Sequence, residues 1–119
     1  MKINIDINIS EALAAIEDAS EIIPELSTAV RDTAYKIERT AKQNAPVDTG
    51  RLKGSITTEL DLGGTNPSAE IGTNVEYAQY VEYGTYKMAA RPFLNPAYDR
   101  NIEEFEENVS RIVRRILWC

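Results

Sequence analysis

The chain opens with apolar residues at every second position: Ile3, Ile5, Ile7 and Ile9 alternate with polar residues. That spacing predicts a strand with one apolar face. The period then changes. Ser10 is suited to cap a short helix over 11–19, with Glu11 placed where the positive end of the helix dipole favours an acid. From Pro24 to Asn44, Leu26, Val30, Ala34, Ile37 and Ala41 recur at helical intervals. At about 100° per residue they share an arc less than a quarter-turn wide, so this segment is predicted to be a long amphipathic helix. Arg31, Glu38, Arg39 and Lys42 lie away from that arc. Pro24 is tolerated in the first turn, where a missing N–H costs nothing. Pro46 ends the helix by pushing Ala45 out of the helical region.

Beyond the long helix the period returns to two. Residues 55–61 (Ser-Ile-Thr-Thr-Glu-Leu-Asp) and 69–73 read as strands, joined across the turn-forming Gly63-Gly64-Thr65-Asn66-Pro67. Residues 75–83 predict a short helix stopped by Gly84, and 85–90 a further strand. Two prolines hold an irregular crossing over 91–96. The last helix is expected from Pro96 to Leu117, with Ile102, Phe105, Val109, Ile112, Val113 and Ile116 as its buried stripe. Glu103, Glu104, Glu106 and Glu107 precede Arg111, Arg114 and Arg115, an order that complements the helix dipole. Glu107 and Arg111 also stand at a favourable i,i+4 spacing. Together these elements predict an α+β domain: a small antiparallel sheet of three to four strands packed against a long central helix and a long C-terminal helix. One domain is expected over 1–119, with a strand and short helix in 1–23 and the C-terminal helix end in 101–119.

Composition adds mostly exclusions. At 119 residues, with 43% hydrophobic and 27% charged residues, the chain suits one soluble globular core. No apolar run approaches the roughly 20 residues of a membrane span. The alternating start lacks the continuous apolar stretch of a signal peptide, so a cytoplasmic site of synthesis is expected. Cys119 is the sole cysteine, so an internal disulfide is impossible. There is no histidine, which removes the commonest general base and zinc ligand. Thirteen basic against nineteen acidic residues leave a net charge of −6, which disfavours wrapping nucleic acid.

The most suggestive catalytic motif is Asp48-Thr49-Gly50, the active-site turn of aspartic proteases, where two aspartates share one proton across a dimer. Its context is wrong for that chemistry. A protease turn follows a buried strand, whereas this one follows a long helix and precedes the charges of Arg51 and Lys53. The structural reading is a corner: Pro46 closes the helix, and Asp48 or Thr49 caps a one-turn helix over 50–54 that starts at Gly50. Asp61, Glu70, Glu76 and Glu82 are scattered without metal-ligand spacing, and no glycine-rich loop follows a strand to cradle a phosphate, so neither metal nor cofactor is expected. Arg111, Arg114, Arg115 and Trp118 could contact nucleic acid, but the helix dipole already accounts for the arginines. Tyr77, Tyr80, Tyr83 and Tyr86 form a dense aromatic cluster, followed by Arg91 and Phe93. Large contact area with a hydroxyl handle suits a protein interface, and we place the candidate subunit contact on these six residues. The same tyrosines also suit packing of a small helix onto a sheet, and Phe93 with Leu94 also suits a plain core.

Three ordered blocks carry a resemblance. They are Ala45-Pro46-Val47-Asp48-Thr49-Gly50-Arg51-Leu52-Lys53-Gly54-Ser55-Ile56; Ile71-Gly72-Thr73-Asn74 with Tyr77-Ala78, Tyr80-Val81-Glu82-Tyr83-Gly84-Thr85; and Ala90-Arg91-Pro92-Phe93-Leu94-Asn95-Pro96-Ala97. In this order they resemble the head–tail joining and tail-completion proteins of HK-type long-tailed bacteriophages, over a family core of 24–100. The resemblance implies a non-enzymatic virion subunit, assembled in the host cytoplasm, that forms a ring with itself, a hexamer in the family. It implies as partners the tail tube or tail-terminator protein and the head connector or stopper protein, with DNA at most passing through the lumen and no membrane. The ends, 3–9 and the Trp118-Cys119 tail, lie outside the resemblance. A monomeric protein-binding module of prophage origin and a dimeric protease using Asp48 are the competing readings.

Overall fold

The computed structural model describes residues 1–6, 22–46, 50–62 and 66–117, with side chains through 115. Strand β1 (Lys2–Asp6) is followed by α1 (Ile22–Asn44), α2 (Gly50–Ser55), β2 (Thr57–Asp61), β3 (Ser68–Gly72), α3 (Ala78–Tyr83) and α4 (Asn95–Leu117). This is the α+β architecture expected from the sequence. Ile7 and Ile9, the helix over 11–19, Asp48, Thr49, the hairpin tip at 63–65 and Trp118-Cys119 fall outside the described residues.

The sheet is antiparallel with strand order β1-β3-β2, so the first strand crosses to the far side of β3 instead of pairing with its hairpin neighbour. Ile3 faces Ile71 and Ile5 faces Ala69 on one side, while Thr58 faces Ile71 and Leu60 faces Ala69 on the other. Cross-strand partners share a face of the pleat. The face built from Ile3, Ile5, Thr58, Leu60, Ala69 and Ile71 therefore turns to α1, and Ile5, Ala69 and Ile71 are buried there. The opposite face carries Lys2, Asn4, Asp6, Thr57, Glu59, Asp61 and Glu70.

α1 buries the arc its spacing defines, Leu26, Val30, Ala34, Ile37 and Ala41, together with Ile22, Thr33 and Thr40. It packs antiparallel along α4 through its whole length. Lys36 binds Glu104 at 3.0 Å, Asn101 donates to the Thr40 hydroxyl at 3.2 Å, and Asn44 donates to the Phe93 carbonyl at 3.5 Å. At the far end Arg115 pairs with Glu25. The α4 stripe is buried at Phe105 and half-buried at Ile102, Val109, Ile112 and Val113, where α1 is the main cover among the described residues.

One expectation is corrected. Residues 85–90 do not form a strand: Thr85 and Met88 exchange backbone hydrogen bonds of 2.8 and 3.2 Å across a tight turn. Every residue from Thr85 to Ala90 is exposed, so the segment has no alternating buried face to hold it on a sheet. Arg111 donates to Asn108 at 3.4 Å, and no ion pair joins it to Glu107 among the described residues.

Candidate functional site

The three sequence blocks converge on one structural knot around α2, α3 and the start of α4. α2 begins six positions past the end of α1, with Pro46 half-buried after that end and Gly50 opening the new helix. The corner is thus helix to helix, and only then to strand. A Cβ at Gly50 would meet nothing within 4 Å, so this position requires no glycine for space. Leu52 and Ile56 anchor the corner in the core. Ser55 ends α2 by donating to the Leu52 carbonyl at 2.7 Å, and its hydroxyl lies 2.5 Å from that of Thr73. Thr73, fully buried, also accepts from the Val75 N–H at 3.1 Å. That shared hydroxyl pair joins the first block to the second.

Arg51 reinforces the joint outside. Its guanidinium lies 3.1 and 3.4 Å from the two carboxylate oxygens of Glu76 and 5.6 Å from the centroid of Tyr77. The Glu76 carboxyl is held below its ordinary pKa, first by its own backbone N–H and then by the Arg51 charge and hydrogen bonds. Both side chains are largely in water, so the pair orients more than it stabilises.

The second block meets the third through Glu82, only 2% exposed. One carboxylate oxygen accepts the N–H groups of Phe93 at 3.2 Å and Leu94 at 2.8 Å, and the other accepts that of Asn95 at 3.4 Å. These donors lie at the entry to α4, where helix geometry leaves N–H groups without intrahelical partners and the dipole favours an anion. The Arg91 N–H donates to the Val81 carbonyl at 2.7 Å, and Asn95 donates to the Tyr83 hydroxyl at 3.2 Å. Gly84 turns the chain out of α3 at φ +79°; a Cβ there would lie 2.8 Å from the Ala90 nitrogen and 2.9 Å from the Met88 carbonyl oxygen. Glycine is required here, and also at Gly72 of the second block, where a Cβ would lie 2.7 Å from the Lys2 Cα.

On this frame the candidate interface residues separate. Tyr80, Tyr83 and Tyr86 are 50%, 67% and 93% exposed, with Met88 exposed beside them. The Lys87 ammonium stands 5.4 Å from the Tyr86 ring centroid. Tyr77 is half-buried under Arg51, and Arg91 is exposed. Phe93 is 0% exposed and belongs to the core with Leu94 and Ala97, so within one chain it supports the surface from beneath and does not form it. Asp48 lies outside the described residues, but its flanks are the ends of two helices and not a strand, unlike the aspartic protease turn.

Glu82 and Thr73 are the residues sequence reasoning passed over. The signal for Glu82 was indirect: α4 has no acid in its first turn, so its N–H groups needed an anion from elsewhere. No group of three or more His, Cys, Asp or Glu among the described residues is arranged to hold a metal. One concavity of about 460 Å³ is open surface on α4, lined by Glu103, Glu106, Glu107, Ser110, Arg111 and Arg114. No described helix is long and apolar enough to cross a membrane.

The family described as "Bacteriophage HK97-gp10, putative tail-component" matches residues 9–84. That span contains α1, α2, β2, β3 and α3, and hence the first two blocks except Thr85; β1, the third block and α4 lie outside it. No curated protein and no solved structure matches the chain. With well over half its length inside the match, and with the first two blocks folded into one joint, the chain belongs to the HK97 gp10-like family of structural bacteriophage tail components.

Proposed function

We propose that this subunit assembles with copies of itself into a ring at the neck or tail end of the virion and joins the tail to the head. The observation that carries the reading is the set of exposed aromatic side chains, Tyr80, Tyr83 and Tyr86 with Met88, on a backbone fixed by Glu82 and Gly84. Tyrosine and methionine are enriched in interface cores, and a surface already rigid loses less entropy on docking. A head-to-tail contact of this kind closes into a ring when its rotation permits, six copies by family resemblance. The tail tube or terminator protein and the head connector or stopper protein are the neighbours this role requires. A net charge of −6 suits a subunit past which DNA slides without sticking.

The test is a Tyr83→Ser/Tyr86→Ser double variant compared with the unaltered protein by light scattering, alone and with tail tubes as template. The unaltered protein should form ring-sized assemblies, larger than a dimer, under at least one condition, and the variant should not, while keeping its far-ultraviolet circular dichroism. Unchanged assembly by the variant refutes the aromatic contact. An unaltered protein that stays monomeric even on tail tubes refutes the ring and favours a monomeric binding module.

A further inference from the structure

β1 is an outer strand, and the hydrogen bonds fix which of its residues look outward. The Met1 nitrogen donates to the Thr73 carbonyl and the Thr73 N–H donates to the Met1 carbonyl, both at 3.0 Å. A pair that exchanges both bonds recurs at every second residue of an antiparallel ladder. With Ile3 opposite Ile71 and Ile5 opposite Ala69, these are the next bonded pairs. Lys2, Asn4 and Asp6 therefore turn their N–H and C=O groups away from β3, toward an edge that no other strand occupies among the described residues. Such an edge is a template for another strand.

We infer that this edge docks β1 of a second copy, antiparallel, about a two-fold axis perpendicular to the sheet. The register follows from the outward-facing residues. Asn4 meets Asn4 of the second copy on the axis, and Lys2 meets Asp6 of the second copy on either side. The outward backbone groups of these three pairs meet in the bonded phase, and both copies keep their α1 helices on the same side of one six-stranded sheet. On that side Ile3, half-buried in the single chain, meets Ile5 of the second copy.

Charge decides among the possible edge pairings. The same two-fold operation on β2 would put Thr58 or Leu60 on the axis, since Glu59 turns its backbone groups to β3; it would set Glu59 against Thr57 or Asp61 of the other copy, never against a cation. A β1-to-β2 contact with the helices on one side is parallel, and its unshifted register would bring Asp6 beside Asp61. The β1 self-pairing instead places an ammonium opposite a carboxylate twice. Lys2 also pairs with Glu70 at 3.4 Å on the same face, and among the described residues no cation pairs with Asp6. Opposite charges directly across a ladder are favourable and like charges are not.

The contact closes on two copies, so it is not the heterologous contact a ring needs, and it does not rest on the ring reading. Five paired residues span only about 17 Å. They bury less than the ~1,000 Å² of a stable interface, so the pairing is weak and concentration-dependent.

Sedimentation equilibrium of the full chain over roughly 10–500 µM reads it directly. The unaltered protein should show a monomer–dimer equilibrium. Asp6→Lys should weaken self-association by roughly tenfold or more, since two attractions become two repulsions. Lys2→Asp should do the same, and mixing the two variants should restore a dimer, because each supplies the charges the other lacks. Asn4→Pro removes an outward N–H that β3 does not use, so it should abolish pairing while the monomer's circular dichroism stays native. Three results overturn the inference: a monomer at every concentration, a dimer unmoved by both Asp6→Lys and Asn4→Pro, or a dimer lost in the Tyr83→Ser/Tyr86→Ser variant.

Discussion

Replacing Glu82 is the sharpest perturbation of the joint that carries the exposed tyrosines. Its carboxylate accepts three backbone N–H groups at 2.8, 3.2 and 3.4 Å. In Glu82→Ala those donors lose their acceptor, and those of Phe93 and Leu94 belong to fully buried residues that water does not reach. A buried donor left unsatisfied costs about 1–3 kcal/mol, and the lost anion at a helix N-terminus adds about 0.3–2 kcal/mol. Counting only the two shorter bonds as strong, the expected loss is about 2–8 kcal/mol, which reaches the large values of a broken buried network. Glu82→Gln keeps an oxygen for Phe93 and Leu94 but turns an amide toward Asn95, so it should cost about 1–2 kcal/mol. Urea unfolding of the three proteins, followed by circular dichroism, gives the order directly. The two substitutions should lower the midpoint in the order Gln then Ala at an unchanged slope. The reasoning fails if Glu82→Ala lies within about 0.5 kcal/mol of the unaltered protein, the range of an unremarkable surface change.

Other positions give independent checks. Phe93→Ala should cost about 3–5 kcal/mol in the same assay, as expected for a fully buried aromatic, whereas Tyr86→Ser should fall within about 0.5 kcal/mol. Gly84→Ala should destabilise by about 1–3 kcal/mol, because it puts a Cβ on a positive-φ residue against the Ala90 and Met88 backbone. Arg51→Ala should raise the Glu76 carboxyl pKa part of the way to its ordinary value, since the backbone N–H contribution remains; carbon-detected NMR titration measures it. Because the folded-state value is the depressed one, the stabilisation linked to Glu76 is present above the unfolded carboxylate pKa. It disappears as pH falls through the folded value, and the Arg51→Ala variant should lose less in that window.

The helices and strands that bury one face were legible because burial leaves a period in the sequence. Leu26 through Ala41 defined α1, and alternating isoleucines defined β1, although its partner was not readable. Nothing local states that β1 crosses to β3; that choice is made by the whole sheet and by α1 lying over it. The segment after Gly84 misled for the opposite reason. Tyr86 and Met88 have strand-like chemistry, but both are exposed in a turn set by the backbone of Gly84 and a Thr85–Met88 bridge. The tyrosine surface was visible as composition, while the division between exposed Tyr83 and buried Phe93 required coordinates. Glu82 was hidden because its partners are backbone groups more than ten residues away, and backbone groups have no sequence identity.

Electron microscopy of purified tail tubes incubated with the protein tests the central claim most directly. A structural tail subunit that closes into a ring should appear as annular density at one end of each tube, absent from tubes alone and from tubes with the Tyr83→Ser/Tyr86→Ser variant. Bare tube ends at saturating protein, with the chain folded and free in solution, would contradict it.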